Sequence, residues 1–272
     1  MFRCLNPGAI GVSLPWNECL PLAAKHGFEG IDIAVDLSVP AATVTGALAK
    51  HGLKAGGTGL PVNLYGDEKA FDAAAAGLRT IAARAAEVGV TRFATWILPF
   101  SDTLPFEDNF AWHAQRLSQA ARALAKAGCR LGLEFIGPKT LRMGHKYPFV
   151  RTMEQMLDLA EAVGPNAGLL LDSWHWYTSL GTVEDIEALR PEQVVYVHIN
   201  DAPTGIAVDA QRDNVRRLPG ETGVIDLKGF LGALREIGYD GPVVPEPFVP
   251  ELGALPAPEA VRRVGEALKR IW

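Results

Sequence analysis

In the stretch GLLLDSWHWY, Gly168 to Tyr177, an apolar run stops at Asp172, and His175 follows three positions later. The pattern recurs: RLGLEF carries Glu134 near its end, VVYVH closes on His198, and PVVPEPF reaches Glu246. A lone acid after an apolar strand is commonly a helix N-cap or a loop ion pair. Three carboxylates and an imidazole in one shared space would instead repel one another until a cation neutralised them. An oxygen-rich set with one nitrogen points to a divalent metal, first Mn²⁺, then Mg²⁺ or Co²⁺, with Zn²⁺ less natural.

Whether the four meet depends on the elements that carry them. Short apolar runs alternate with Ala- and Leu-rich segments of helical period, the pattern of βα units on a parallel sheet. Eight runs read as strands: Phe2 to Leu5, Gly30 to Ala34, Leu53 to Thr58, Arg92 to Ile97, Arg130 to Phe135, Ala167 to Asp172, Val194 to Ile199 and Pro242 to Glu246. The clearest helices are Asp67 to Val88, Asn109 to Ala127, Thr152 to Val163, Leu227 to Ile237 and Pro258 to Ile271. KHGF, KHGL, EVGV, KAGC, AVGP and EIGY each place a glycine where a left-handed helix exit is needed. Eight units without GxGxxG after the first strand favour a (β/α)8 TIM barrel, one domain over 1–272, above a doubly wound sheet. A barrel of this kind gathers its strand C-termini at one mouth, so the four side chains should converge there. The connection Asp201 to Asp226 is long enough to be functional in its own right.

The bulk composition narrows the class. The 272 residues are 48% hydrophobic and 21% charged, with a net charge of -5, which argues against a surface built for nucleic acid. No apolar run approaches a membrane span and the N-terminal stretch lacks a signal-peptide pattern, so a cytoplasmic protein with no membrane association is expected. Cys4, Cys19 and Cys129, without CxxC spacing, read as reduced, packed thiols.

The ordered set Glu134, Asp172 with His175 in DSWH, His198, and Glu246 in PEPF resembles the xylose isomerase-like TIM barrels, in particular their sugar phosphate isomerase/epimerase branch. GLEFIGP and RRLPGETGVID resemble that branch's fifth-strand end and seventh loop, so the resemblance spans the chain. It implies that Glu134, Asp172, His198 and Glu246 hold the metal, that Glu134 and Glu246 serve as catalytic base and acid, and that His175 and Arg216 contact substrate. Asp201 is a weaker substrate-binding candidate. Trp174 is read either as a platform for a sugar face or as core. Arg217 reads either as a second guanidinium at the mouth or as a solvated charge, and Lys139, Arg142 and His145 in the fifth loop read as solvated charges rather than as an extension of the pocket.

A metal so held could chelate neighbouring carbonyl and hydroxyl oxygens and acidify the C–H between them, giving an enediolate. Proton return on the opposite face would yield an epimer; transfer to the adjacent carbon would interconvert aldose and ketose. The implied partner is a small sugar or sugar phosphate. A dehydratase or lyase of a keto-polyol or keto-inositol uses the same first step. An apurinic-site endonuclease-like phosphodiesterase is more remote, because NVRRLPG puts Asn214 and Arg216 where those enzymes have Asp and His. The apolar segment WILPFSDTLPF could cover the mouth or join copies in a homo-oligomer.

Overall fold

The computed structural model describes residues 1–272. In chain order its strands are β1 (Phe2–Leu5), β2 (Gly30–Ile31), β3 (Lys54–Ala55), β4 (Thr58–Gly59), β5 (Arg92–Ile97), β6 (Phe100–Ser101), β7 (Arg130–Phe135), β8 (Tyr147–Pro148), β9 (Ala167–Asp172), β10 (Val194–Ile199) and β11 (Pro242–Pro245). Nine form one sheet in the order β3-β2-β1-β11-β10-β9-β7-β5-β4. Its pairings are parallel throughout. The sheet's two ends, β3 and β4, are consecutive pieces of chain separated only by Gly56 and Gly57. They are the single third strand expected from sequence, split in two, and the ring closes through that step.

The split has a steric cause. A Cβ on Gly56 would collide with the Asp32 carboxylate and the Cys4 sulfur, and one on Gly57 with the Tyr196 ring. The backbone therefore passes close to the lumen, giving up ladder bonds that an ordinary strand would make. The second strand is also shorter than expected, because beyond Ile31 its amides turn to separate partners, Asp32 N to Leu5 O and Ile33 N to Gly57 O. Under the mouth the lumen is filled by Phe2, Cys4, Leu170, Tyr196 and Val244.

Helices cover the outside at Glu68–Glu87, Phe106–Ala125, Met153–Val163, Leu227–Glu236 and Ala257–Ile271. Three begin at side-chain caps, Asp67 to Ala70 N, Thr152 to Gln155 N and Asp226 to Gly229 N. The second of these five starts before the expected Asn109, since Pro105 fixes its entry and Glu107 and Asp108 complement the N-terminal dipole. All six glycines expected at helix exits have positive φ, from 65° at Gly52 to 144° at Gly164. One cluster of 61 buried residues joins helices and sheet in a common core. No helix is long and apolar enough to cross a membrane.

Two features shape the mouth. β6 and β8 pair antiparallel and tie the segment after β5 to the fifth loop, with Phe100 stacked on His145 at 3.3 Å. The long connection after β10 is folded back on itself by a bridge between Asp201 and Arg217, their amides and carbonyls exchanged at 3.0 and 2.8 Å.

Candidate active site

Register brings the strand-end residues together. β10 pairs His198 with Asp172 on β9 and with Val244 on β11, two residues before Glu246. Glu134 comes from β7, beside β9. One ligand atom from each of Glu134, Asp172, His198 and Glu246 lies within 4.8 Å of all the others. His198 Nδ1 stands 3.3 Å from both Glu134 Oε1 and Glu246 Oε2.

Arg216, 1% exposed, reaches this cluster from the long loop. Its Nη1 donates to Asp172 Oδ2 at 2.7 Å and Glu246 Oε2 at 3.1 Å, and its Nη2 to Asp213 Oδ1 at 3.0 Å. Asp172 Oδ1 accepts from Trp174 N and Asn200 Nδ2, so one of its oxygens is fixed and the other faces the cluster. Burial alone would push the Asp172 carboxyl up, but Arg216, His175 and His198 together hold it down at about 2. Glu246 is also held low, burial being outweighed by His198 and Arg216. Glu134 has no arginine partner, and burial pushes it up to about 7 against the pull of His198. Burial disfavours a charge on His198, yet Glu246 and Glu134 raise its pKa well above the ordinary imidazole value. The cluster is thus short of positive charge, the condition in which a divalent cation is stabilised.

His175 is 1% exposed, and burial lowers its pKa to about 4, so it is neutral at physiological pH. Gly137 N donates to its Nδ1 at 3.2 Å. Its Nε2 lies 3.2 Å from Arg216 Nη2 and 3.9 Å from both Asp172 Oδ2 and Asp213 Oδ1, and the residue lines the cavity. A side chain at Gly137 would collide with the His175 carbonyl, so this glycine permits the contact.

Two sequence candidates are placed elsewhere. Asp201 is fully buried, and its carboxylate accepts from the amides of Ala202, Thr222, Gly223 and Ile225 at 2.7–3.0 Å. It fastens the loop rather than meeting a ligand. Trp174 is fully buried beneath Arg216, 5.5 Å from ring to guanidinium, so it supports the arginine and presents no face to the cavity. Lys139 pairs with Asp209, Arg142 with the Gly137 carbonyl and His145 with Asp102, all away from the cavity lining. Phe248 covers Arg216 from the other side at 4.5 Å, and Trp96, half exposed, forms the cavity wall.

The mouth is a trough. A cavity of about 360 Å³ is lined by His175, Arg216, Asn214, Trp96 and Phe248 together with Glu134 and Glu246. A smaller one of about 140 Å³ shares Trp96, Glu134 and Glu246 with it and adds His198, Tyr196, Asp32, Asn6 and Thr58. A third, about 320 Å³, continues from Asn6, Asp32 and Thr58 to Trp16. Asp32, the residue following β2, joins these groups at the mouth although the sequence alone does not single it out.

The chain belongs to the xylose isomerase-like TIM barrel family, whose pattern it matches over residues 20–271. It is 26% identical to an inosose isomerase of Bacillus velezensis, with 100% of this chain and 97% of the relative aligned. Its fold matches that of a xylose isomerase domain protein from Alicyclobacillus acidocaldarius with a TM-score of 0.87 and 33% identity, covering 100% and 98% of the two chains. Half of the chain, 138 residues, is 36% identical to a 3-dehydroshikimate dehydratase of Pseudomonas aeruginosa, of which it covers 20%.

Proposed function

We propose that the protein is a divalent-metal-dependent sugar isomerase or epimerase that moves a proton beside a carbonyl. The observation that carries this reading is the convergence of Glu134, Asp172, His198 and Glu246 within 4.8 Å at the floor of a ligand-sized trough. The donor set fits a divalent cation: three carboxylates and one imidazole, with an excess of negative charge that His198 meets by taking up a proton. Mn²⁺ suits these donors best, with Mg²⁺, Co²⁺ and Zn²⁺ as alternatives. When bound, the cation would polarise a carbonyl and its neighbouring hydroxyl and acidify the C–H between them.

The chain's own groups supply the proton transfers. Glu134 and Glu246 flank His198 on either side of the floor, so a carbon above it is accessible to both. Arg216 bonds Glu246 and not Glu134, so Glu246 is the more strongly ionised and accepts the first proton. Glu134, pushed up by burial, is the proton holder that returns one. Return to the opposite face gives an epimer, and transfer to the adjacent carbon an isomer. His175 and Arg216, both in the cavity lining, orient substrate oxygens. The kinship with a 3-dehydroshikimate dehydratase supports a second reading, in which the same proton abstraction is followed by loss of water.

The test is incubation of the Mn²⁺-loaded protein in D₂O with ketoses and inososes. Deuterium beside the carbonyl, lost on chelation and reduced about a thousandfold in Glu246→Gln with the melting temperature retained, is the expected result. Full exchange by Glu246→Gln would remove that residue from the mechanism, and loss of water from the substrate would select the dehydratase.

A further inference from the structure

The three cavities of the mouth differ from an anion site in their charge. Carboxylates of Asp32, Glu134, Asp213 and Glu246 line them, with Asp172 beneath, and the only lysine or arginine among the lining residues is Arg216. That arginine is committed. Its Nε donates to Asp213 O, and its Nη1 and Nη2 serve Asp172, Glu246 and Asp213. The other Nη2 N–H is aimed at His175 Nε2 at 3.2 Å. Of the five N–H groups of the guanidinium none is left over for the forked grip that holds a phosphate or carboxylate. Setting aside Asp32 and the proton-holding Glu134, the carboxylates of Asp172, Asp213 and Glu246 cancel the charges of Arg216 and a divalent ion, so no net positive charge is left for an anion.

The end of the trough remote from Arg216 is polar without being cationic. Asn6 spends its Oδ1 on Ala9 N and keeps its amide N–H groups for the cavity. The hydroxyls of Thr58 and Thr95 line the same space and bond to no protein group. Asp32 is held in place by Gly57 N at 2.7 Å and by the Tyr196 hydroxyl, with lone pairs remaining. An amide donor, two hydroxyls and a carboxylate acceptor are complementary to the vicinal hydroxyls of a polyol.

Resting on the isomerase or epimerase reading, we infer that the substrate is uncharged: an unphosphorylated, uncarboxylated ketose or cyclic polyol ketone whose end remote from the metal is bound by Asn6, Thr58 and Asp32. An acid of the dehydroshikimate type and every sugar phosphate are excluded by the same lining. The trough then distinguishes substrates by charge before any chemistry begins.

The experiment uses the full chain loaded with Mn²⁺. Exchange in D₂O and calorimetric binding are measured for D-fructose against D-fructose 6-phosphate, and for myo-inositol against its monophosphate, in wild type, Asn6→Ala and Thr58→Val. Neutral members should bind, their phosphates at least about a hundredfold more weakly, and each variant should lower affinity for the neutral ligand about tenfold, as for one lost hydrogen bond. Thr58→Lys should narrow the preference by restoring a cation. Equal or tighter binding of the phosphates, or no effect of Asn6→Ala and Thr58→Val, overturns the inference, as does failure of both neutral probes to bind. Neutral-selective binding without exchange of any sugar overturns the reaction instead and leaves the subsite standing.

Discussion

Two core histidines, His113 and His175, are both kept neutral by burial, and for different ends. His175 serves the cavity, whereas His113, 2% exposed on the helix Phe106–Ala125, bonds to Asn109 O and packs against Phe149 and Tyr65. Burial lowers the His113 pKa to about 4 from 6.5. The unfolded chain therefore takes up a proton first as pH falls: stability is full above about 6.5, declines between 6.5 and 4, and levels off once the native state also protonates. By pH 5 this amounts to about 2 kcal/mol. His113→Phe should reduce the loss of unfolding free energy between pH 7 and pH 5 by about that amount in urea titrations; an unchanged difference would show that His113 is not the titrating group. Asp172 and Asp201 show what a residue-level reading can and cannot see. Both are fully buried acids at or just after an apolar strand, and nothing in their immediate neighbourhood separates them. One is left facing Arg216 and the metal floor, and the other is consumed by four amides that arrive from as far away as Ile225. Asp32 was hidden for another reason: Ile33, Ala34 and Val35 continue the apolar run past it, so the strand's true end carried no visible mark.

Among elements, the connection after β10 carries the largest functional share per residue, since it delivers both Asp213 and Arg216 to the cavity. Its position depends on Asp201. Replacing that carboxylate with a methyl group strands four amide donors, those of Ala202 and Ile225 buried, so Asp201→Ala should cost about 3 kcal/mol of stability and should lower turnover with it, through displacement of Arg216. Urea denaturation measures the first effect. Trypsin reports the second independently, because exposed Arg212 should be cut much faster in the variant; equal cutting rates would mean that the loop is held by other contacts. The helices were legible because their signals are local: caps at Asp67, Thr152 and Asp226, and glycines at their exits. The third strand was legible as an element but not as a broken one, because the groups that crowd Gly56 and Gly57 come from β1, β10 and the residue following β2.

At the scale of the molecule, the four-residue floor brings together elements distant in sequence, with side chains from β7, β9, β10 and the residue following β11. Without a cation, four polar groups and Arg216 must satisfy one another in a buried space. A metal at a hundred times its dissociation constant adds about 2.7 kcal/mol to a fold that alone binds it. In a chain of this size that corresponds to a rise of about 5–10 °C in melting temperature on loading with Mn²⁺, reversed by chelator. Asp172→Asn should abolish the shift, and a shift that persists in that variant would place the ion elsewhere. The barrel architecture and the four-residue floor could be read from the sequence because the strand ends in a barrel are forced to one mouth. The trough that continues past them could not, since it is the space left between loops from all parts of the chain.

The clasp at Asp201 also bears on inheritance. The loop begins and ends on the same residue, with its backbone bridged to Arg217 and its carboxylate holding Thr222, Gly223 and Ile225. The largely exposed stretch from Thr204 to Ala210 can change composition without loosening that fastening, whereas Gln211 beyond it is fully buried and bonds back to Pro203 and Ile206. Such a segment is free to diverge between descendants at little risk to the fold, and it leads directly into Asp213, Asn214 and Arg216, the residues by which the loop reaches the cavity.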